Sequence, residues 1–505
     1  MDPTHYQAMT VETSMLPVWA CLASLLAVPG ILIFRKEPFM REAITFIAGF
    51  VKLGFVLAIY NYVKDGTVLE FKFTEGIAGI SVPIMFRVDE LGIIFALIAS
   101  SLWIVTSLYA IGYMRGLNEH SQTRFFCFFA VSLCATLGVA FAGNLLTLYL
   151  FYELLSLSTY PLVTHHQDKE ARAGGRTYLT HLVGTSVAFA LPALMFTIFK
   201  TGGEVEFGKV ILESGDLGAW PSLALLLAFC FGFSKAGMMP FHSWLPGAMV
   251  APTPVSALLH AVAVVKVGVF CVIRVVIDVF DKDLLSQAIG GLSPSEILAW
   301  IAAFTVLTSS LIAMSQDNLK RRLAFSTIGQ LSYIILGVAL LTPHAIQGSV
   351  MHIAMHAFGK ITLFFCAGAI FVATGKKYIS QLDGLGRAMP WTFAAFAIGA
   401  MSVTGLPPTG GLLSKIYMIW GAADAGQIAL LAVYLISSIL NGVYFFPIVY
   451  RAFFKKPTDG IPIEKIKEAP FACVFPLCVT AAGSVLLFFF PKIIFELTER
   501  MVASF

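Results

Sequence analysis

Charge is scarce in this chain. Only 12% of its 505 residues are Asp, Glu, Lys or Arg, against about 25% in soluble domains. That shortage excludes an ordinary soluble fold. A formal net charge of only +4, carried in loops, excludes a nucleic-acid-binding surface. Paired cysteines are also lacking. Cys21, Cys127, Cys134, Cys230, Cys271, Cys366, Cys473 and Cys478 are scattered through apolar runs with no Cys-x-x-Cys spacing. This argues against iron–sulfur ligation and structural zinc and leaves small buried hydrophobes. No Gly-x-Gly-x-x-Gly follows a strand, and there is no phosphate loop. No cofactor and no metal is expected in this chain. The first fifteen residues lack a basic region and a small-residue cleavage site, so residues 16–34 are expected to be a retained helix rather than a signal peptide.

What the chain has is apolar sequence: 58% hydrophobic residues and a mean hydropathy of +0.84. Runs near the roughly 20 residues needed to cross a bilayer recur throughout. The reading is an all-α polytopic membrane protein of about fourteen spans. They fall near 14–34, 42–63, 88–113, 124–142, 144–165, 176–200, 220–250 (broken), 253–279, 295–315, 323–342, 345–374, 390–422 (broken), 424–453 and 468–490. Residues 65–87 alternate Val68, Phe71 and Phe73 with Glu70, Lys72 and Thr74, which predicts a short extramembrane hairpin. Basic residues concentrate in alternate loops: Arg35, Lys36 and Arg41, then Arg115 and Arg124, Lys169, Arg172 and Arg176, Lys320 to Arg322, Lys376, Lys377 and Arg387, and Arg451 to Lys467. The alternation follows the positive-inside rule and puts both termini on the outer face. Lys320-Arg-Arg322 reads as the anchor of a cytoplasmic loop.

Two proline-broken segments lie five spans apart, at 220–250 and at 390–422 around Gly405-Leu-Pro-Pro-Thr-Gly-Gly411. Paired broken segments in corresponding halves point to an inverted-repeat transporter, with the freed backbone lining a cavity. Ionisable residues at bilayer depth are costly and mark function by default. Glu153 sits mid-span in Phe151-Tyr-Glu-Leu154, and Lys235 precedes the first break. Burial lowers a lysine pKa and a nearby carboxylate raises it, so Glu153 could switch Lys235 between holding and releasing a proton; the alternative is a purely structural ion pair. Lys266 is flanked by aliphatics, has no sequence-local partner and lies too deep to snorkel easily. His352, His356 and Lys360 stripe one helix face and climb about 12 Å, a spacing a proton wire would use. Lys415 follows the second break, five spans after Lys235. His260 and His242 are path residues or hydrogen-bonded packing residues.

At these residues the chain resembles the antiporter-like membrane subunits of respiratory complex I and of Mrp-type Na⁺/H⁺ antiporters. The carriers are Lys235-Ala-Gly-Met-Met-Pro-Phe-His-Ser-Trp-Leu-Pro246, Ala251-Pro-Thr-Pro-Val-Ser-Ala-Leu-Leu-His260, Val265-Lys-Val-Gly268, His356-Ala-Phe-Gly-Lys360 and the Glu153 motif, over about residues 85–420. The resemblance implies fourteen helices with two inverted five-helix repeats. Residues 1–120 would hold the N-terminal helices and hairpin, 121–280 the first half-channel, 281–455 the second, and 456–505 a C-terminal helix. It implies Glu153 and Lys235 as a modulating ion pair, Lys266 as central relay, Lys415 as exit residue, and His260 and His356 as connectors. Two positions depart from the pattern. Gly247 stands where the family often has Asp after Trp-Leu-Pro. Lys415 stands where one complex I subunit type has Glu, which favours the D type of Mrp antiporters or the N and L types among the N/L/M group. The long C-terminal lateral helix of the L type is expected to be missing.

The expected function is a proton-translocating subunit of a larger membrane complex in a prokaryotic inner membrane, driven by a partner's redox chemistry or exchanging H⁺ for Na⁺. Its partners would be other integral membrane subunits, protons, Na⁺ in the exchange case, and the lipid bilayer. Two other readings remain open: a structural subunit that only anchors partners, and a stand-alone secondary transporter.

Overall fold

The computed structural model describes residues 10–76, 82–457 and 466–503; the side chains of Leu259 and His260 also lie outside the described residues. Inside a bilayer each backbone amide must find its partner within the protein, and helices do this within one segment. Eleven of the described helices are long and apolar enough to cross.

A short strand β1 (Thr10–Thr13) leads into helices α1 (Leu16–Leu25) and α2 (Ala27–Ile33), which together fill the first expected span. Helix α3 (Pro38–Lys64) follows, then strands β2 (Thr67–Lys72) and β3 (Met85–Val88). β2 and β3 are the expected hairpin, antiparallel with Glu70 opposite Arg87; their side chains form an ion pair across the ladder. The connecting residues 77–81 are outside the described set. β1 adds to β2 in parallel, a strand the sequence did not announce because four residues carry too little pattern.

Helices α4 (Glu90–Gly116), α5 (Gln122–Ala140) and α6 (Leu145–Val163) are single crossings. Asp89 and Asn144 cap α4 and α6 through side-chain oxygens that accept from Gly92 and Thr147, which satisfies orphan amides at the helix start. Helices α7 (Lys169–Thr185) and α8 (Leu191–Lys200) join through a π-turn at Ser186–Ala190 to make one crossing.

The broken regions follow. Helix α9 (Ala219–Gly232) stops before the expected break, and a 3₁₀ turn at Ser234–Ala236 and the four-residue α10 (Trp244–Gly247) carry the chain on. Residues 253–279, expected as one unbroken span, are also broken. Helix α11 (Thr253–Ala261) ends at Val262–Ala263, and α12 (Val264–Arg274) begins afresh. No glycine or proline stands there, so the residue types gave no warning. Helices α13 (Lys282–Ser286), α14 (Pro294–Ser315), α15 (Leu319–Ala339) and α16 (Pro343–Thr374) come next, with Ser293 and Glu296 forming a capping box on α14. The second expected break is present between α17 (Pro390–Thr404) and α18 (Gly410–Asp424). Helices α19 (Ile428–Phe454) and α20 (Phe471–Phe489) complete the crossings. The expected count of fourteen treats each of the three broken sets as one crossing.

The chain also forms α21 (Lys492–Ala503), packed on α4 and α16. Arg500 donates to the carbonyls of Val63 and Lys64 and so satisfies the open C-terminal end of α3 with a cation, the sign that end favours.

One buried ion cluster locks the first half. Arg274, at the end of α12, donates to both oxygens of Asp89, each at 2.6 Å, and to Asp278 at 3.1 Å. Phe207 and Phe270 rings flank the guanidinium at 5.2 Å. Arg274→Met would leave two carboxylates unpaired, a change that costs about 3–5 kcal/mol in buried pairs. Thermal melting of the solubilised protein should show a clearly lower Tm for this variant.

Candidate functional site

The first break delivers Lys235 into the protein interior. Its amine donates to the Tyr152 carbonyl at 2.9 Å and to Ser156 Oγ at 2.6 Å, and lies 3.1 Å from the centre of the Tyr152 ring. The close approach depends on Gly268 of α12. A Cβ there would stand 2.0 Å from the Ala236 nitrogen and 2.2 Å from the Lys235 carbonyl carbon. Glu153 shares α6 with both Lys235 acceptors. Its Oε1 is buried without a hydrogen-bond partner, and among the described ion pairs none joins it to Lys235. The expected contact pair is thus a near-neighbour arrangement, because Lys235 reaches the helix one residue before and one turn after the carboxylate.

The break at Val262–Ala263 sets Lys266 in the first turn of α12, fully buried. Its amine lies 2.6 Å from His356 Nδ1 on α16. This supplies the partner that the sequence around Lys266 does not show. One turn back along α16, the His352 ring lies 5.6 Å from that of His356. His352 Nδ1 is 2.8 Å from Ser414 Oγ, and its Nε2 is 3.0 Å from Gln330 Oε1. His352 therefore bridges α15, α16 and α18.

Lys415 follows Ser414 directly. It donates to the carbonyls of Val403 (2.8 Å) and Thr404 (3.0 Å) and to Ser438 Oγ (3.1 Å), beneath the Tyr333 ring. Val403 and Thr404 end α17, so their carbonyls have no partner within that helix, and the lysine occupies the negative end of its dipole. Gly405 (φ +90) makes the turn possible: a Cβ there would meet Lys415 Cδ at 2.8 Å. Lys360 is buried with no hydrogen-bond partner among the described residues, 5.5 Å from the Phe445 ring centre. The His260 side chain is outside the described residues.

Lys266, His356, His352, Ser414 and Lys415 therefore form one row that crosses from α12 through α16 to α18. Gln330, Ser414 and Tyr333 join it without having been singled out from sequence; polar residues in apolar helices are the signal that could have found Gln330. Lys52 on α3 was missed too. It is fully buried, without a hydrogen-bond partner among the described residues, 5.0 Å from the Trp103 ring centre.

His242 lines an open cavity of about 990 Å³ between the two halves of the chain. Gly247, Glu119, Asp168 and Lys320 share the wall. Asp168 and Glu119 thus supply carboxylates to the cavity at whose wall Gly247 brings none. Lys320, read as a loop anchor, donates to the Ala251 carbonyl at 2.6 Å inside this wall.

Beside the cavity, outside the spans, Glu119 Oε1 lies 3.2 Å from His166 Nε2. That hydrogen bond holds the Glu119 carboxyl below its ordinary range and raises His166 above its own. Burial pushes neighbouring His165 down to about 4.

Residues 142–441 match the family described as "NADH:quinone oxidoreductase/Mrp antiporter, TM". Residues 74–126 match "NADH-Ubiquinone oxidoreductase (complex I), chain 5 N-terminus". The chain is 32% identical over 394 residues to NADH-quinone oxidoreductase subunit N of Desulforudis audaxviator, covering 75% of this chain and 77% of that protein. It is 31% identical over 445 residues to the A/B subunit of a probable K⁺/H⁺ antiporter of Rhizobium meliloti, covering 85% of this chain but 43% of that longer protein. In three dimensions it is similar to a chain of the Mrp complex from Dietzia, with a TM-score of 0.82, 22% identity, and coverage of 97% of this chain and 96% of that one. An archaeal membrane-bound sulfane sulfur reductase contains a chain of equal TM-score and identity.

Proposed function

The chain belongs to the family of membrane subunits shared by NADH:quinone oxidoreductases and Mrp antiporters, and on that premise we propose that it carries protons through its row of buried lysines and histidines. The observation that carries this reading is the 2.6 Å contact between Lys266 and His356. It links α12, in the first broken half, to α16 and so to the group around the second break. A buried amine beside an imidazole can pass a proton from one nitrogen to the other, since each can hold or release it. A scaffold gains little from the same burial, since apolar residues of like volume pack as well or better.

In this reading Glu153 tunes Lys235, Lys266 relays through His356 and His352, and Lys415 is the terminal carrier. Lys360 and His242 line the route, and His260 keeps the connecting role that the resemblance implies. The broken helices α9 to α12 and the broken pair α17 and α18 are the cores of two inverted half-channels. The chain works as an integral membrane subunit of a hetero-oligomeric complex, with redox centres, where the complex has them, in other subunits. Basic alternate loops favour outer-face termini in a prokaryotic membrane. Exchange of Na⁺ against H⁺ is the second form of the same activity.

The test uses Lys235→Ala and Glu153→Gln in membrane vesicles, with assembly measured in parallel. Both variants should assemble and should lower the rate of proton movement about tenfold, the equivalent of roughly 1.4 kcal/mol in a barrier. Unchanged proton movement in fully assembled complexes would defeat the reading.

A further inference from the structure

A second group of ligating side chains lies apart from the lysine row. The turn between α4 and α5 carries Glu119 and His120, and the turn after α6 carries His165 and His166. Glu119 Oε2 faces His120 Nδ1 and His165 Nε2, each at 3.9 Å. One ligand atom from each of the three residues lies within 4.8 Å of the others. The His165 side chain is 0% exposed, and among the described residues neither of its ring nitrogens has a hydrogen-bond partner. Buried polar atoms are nearly always partnered, and a 3.9 Å gap is too long for a hydrogen bond. Something else should fill the space between this imidazole and the carboxylate.

The supporting contacts of a metal shell are already in place. His120 Nε2 lies 3.1 Å from the His165 carbonyl, so it donates there and leaves Nδ1 bare toward the centre. The other Glu119 oxygen is held by His166 at 3.2 Å. Ligating histidines and carboxylates are characteristically fixed through their outer atoms in this way.

We propose that Glu119, His120 and His165 bind one divalent transition-metal ion of the zinc class, with a fourth position open to water. Two imidazoles and one carboxylate suit zinc and not the all-oxygen preference of Mg²⁺ or Ca²⁺. Zinc bonds of about 2.0–2.1 Å in a tetrahedron set ligand atoms roughly 3.3–3.4 Å apart, so the two gaps to Glu119 close by about half an ångström and the gap between the imidazoles by at most about 1.5 Å. His120 is exposed and free to make that movement. Arg124 donates to the same His165 carbonyl at 2.8 Å, and its charge weakens the site without blocking it. The scattered cysteines lead the sequence to expect no metal, and this shell gives no local signal against that, since its two halves are 45 residues apart and neither alone is a ligand motif.

The full chain, purified in the complex it assembles with, is stripped with chelator and titrated with Zn²⁺ alone. Wild type, His120→Ala, Glu119→Gln and a control, His344→Ala, are compared by equilibrium dialysis. His120 is exposed, so its loss leaves the fold intact. Wild type and His344→Ala should bind one more equivalent than the other two, whose affinity at that site falls at least about tenfold. Co²⁺ at the same site should give the visible absorption of a four-coordinate ion, lost in His120→Ala. Equal zinc binding by wild type, His120→Ala and Glu119→Gln would overturn the proposal, whether the shared value is one equivalent or none.

Discussion

Gly268→Ala is expected to impair proton movement as severely as removing Lys235 itself, although residue 268 carries no titratable group. The added methyl would stand 2.0 Å from the Ala236 nitrogen and 2.2 Å from the Lys235 carbonyl carbon. Both are backbone atoms, so no side-chain rotation relieves the clash, and the 3₁₀ turn holding Lys235 must move off α12. The amine then loses its geometry with the Tyr152 carbonyl and Ser156. Overpacking of this kind costs about 1–3 kcal/mol, and sometimes more. Gly184→Ala is the control: nothing lies within 4 Å of the methyl it would add, and an unstrained Gly→Ala change stabilises by about 0.4–1 kcal/mol. Vesicle assays should show a loss of about tenfold or more for Gly268→Ala and wild-type rates for Gly184→Ala. Wild-type rates in both would mean that the placement of Lys235 does not matter to transport.

Lys266→Ala is expected to stop proton movement while the complex still assembles. Lys266 is fully buried and, among the described residues, makes its one hydrogen bond to His356. Its removal leaves His356 Nδ1 unpartnered beside an Nε2 that already has no partner. It also removes a desolvated amine whose burial contributes little to folding. The two effects oppose in stability but not in transport, because the alanine leaves a gap of a full side chain between α12 and α16. A structural role predicts the reverse pattern, with assembly failing and any surviving complex transporting normally.

The two predictions divide along what the residues announce in sequence. Depth along an apolar run made Lys235, Lys266, Lys360 and Lys415 legible, because a lysine in the middle of a span needs a reason. Lys52 in Phe50-Val-Lys-Leu-Gly54 carries the same signal. The Gly405–Gly411 break was legible from its prolines. The break at Val262–Ala263 was not, since its residues are ordinary helix formers and only tertiary packing interrupts them. Partners were least legible of all. His356 is 90 residues from Lys266, and no local pattern connects them. Lys235 reaches the helix that carries Glu153, yet the direct contact expected from opposite charges goes instead to a carbonyl and a hydroxyl on that helix.

The central claim is that Lys266 must lose and regain a proton, not merely hold a positive charge. Lys266→Arg separates the two, because a guanidinium keeps its proton at any pH a protein meets. The decisive measurement is the initial rate of acidification or alkalinisation in vesicles containing the assembled Lys266→Arg complex, energised by its substrate or by an imposed cation gradient. The account predicts a rate as low as that of Lys266→Ala. A rate near wild type would contradict it, since fixed charge alone would then suffice at the centre of the path.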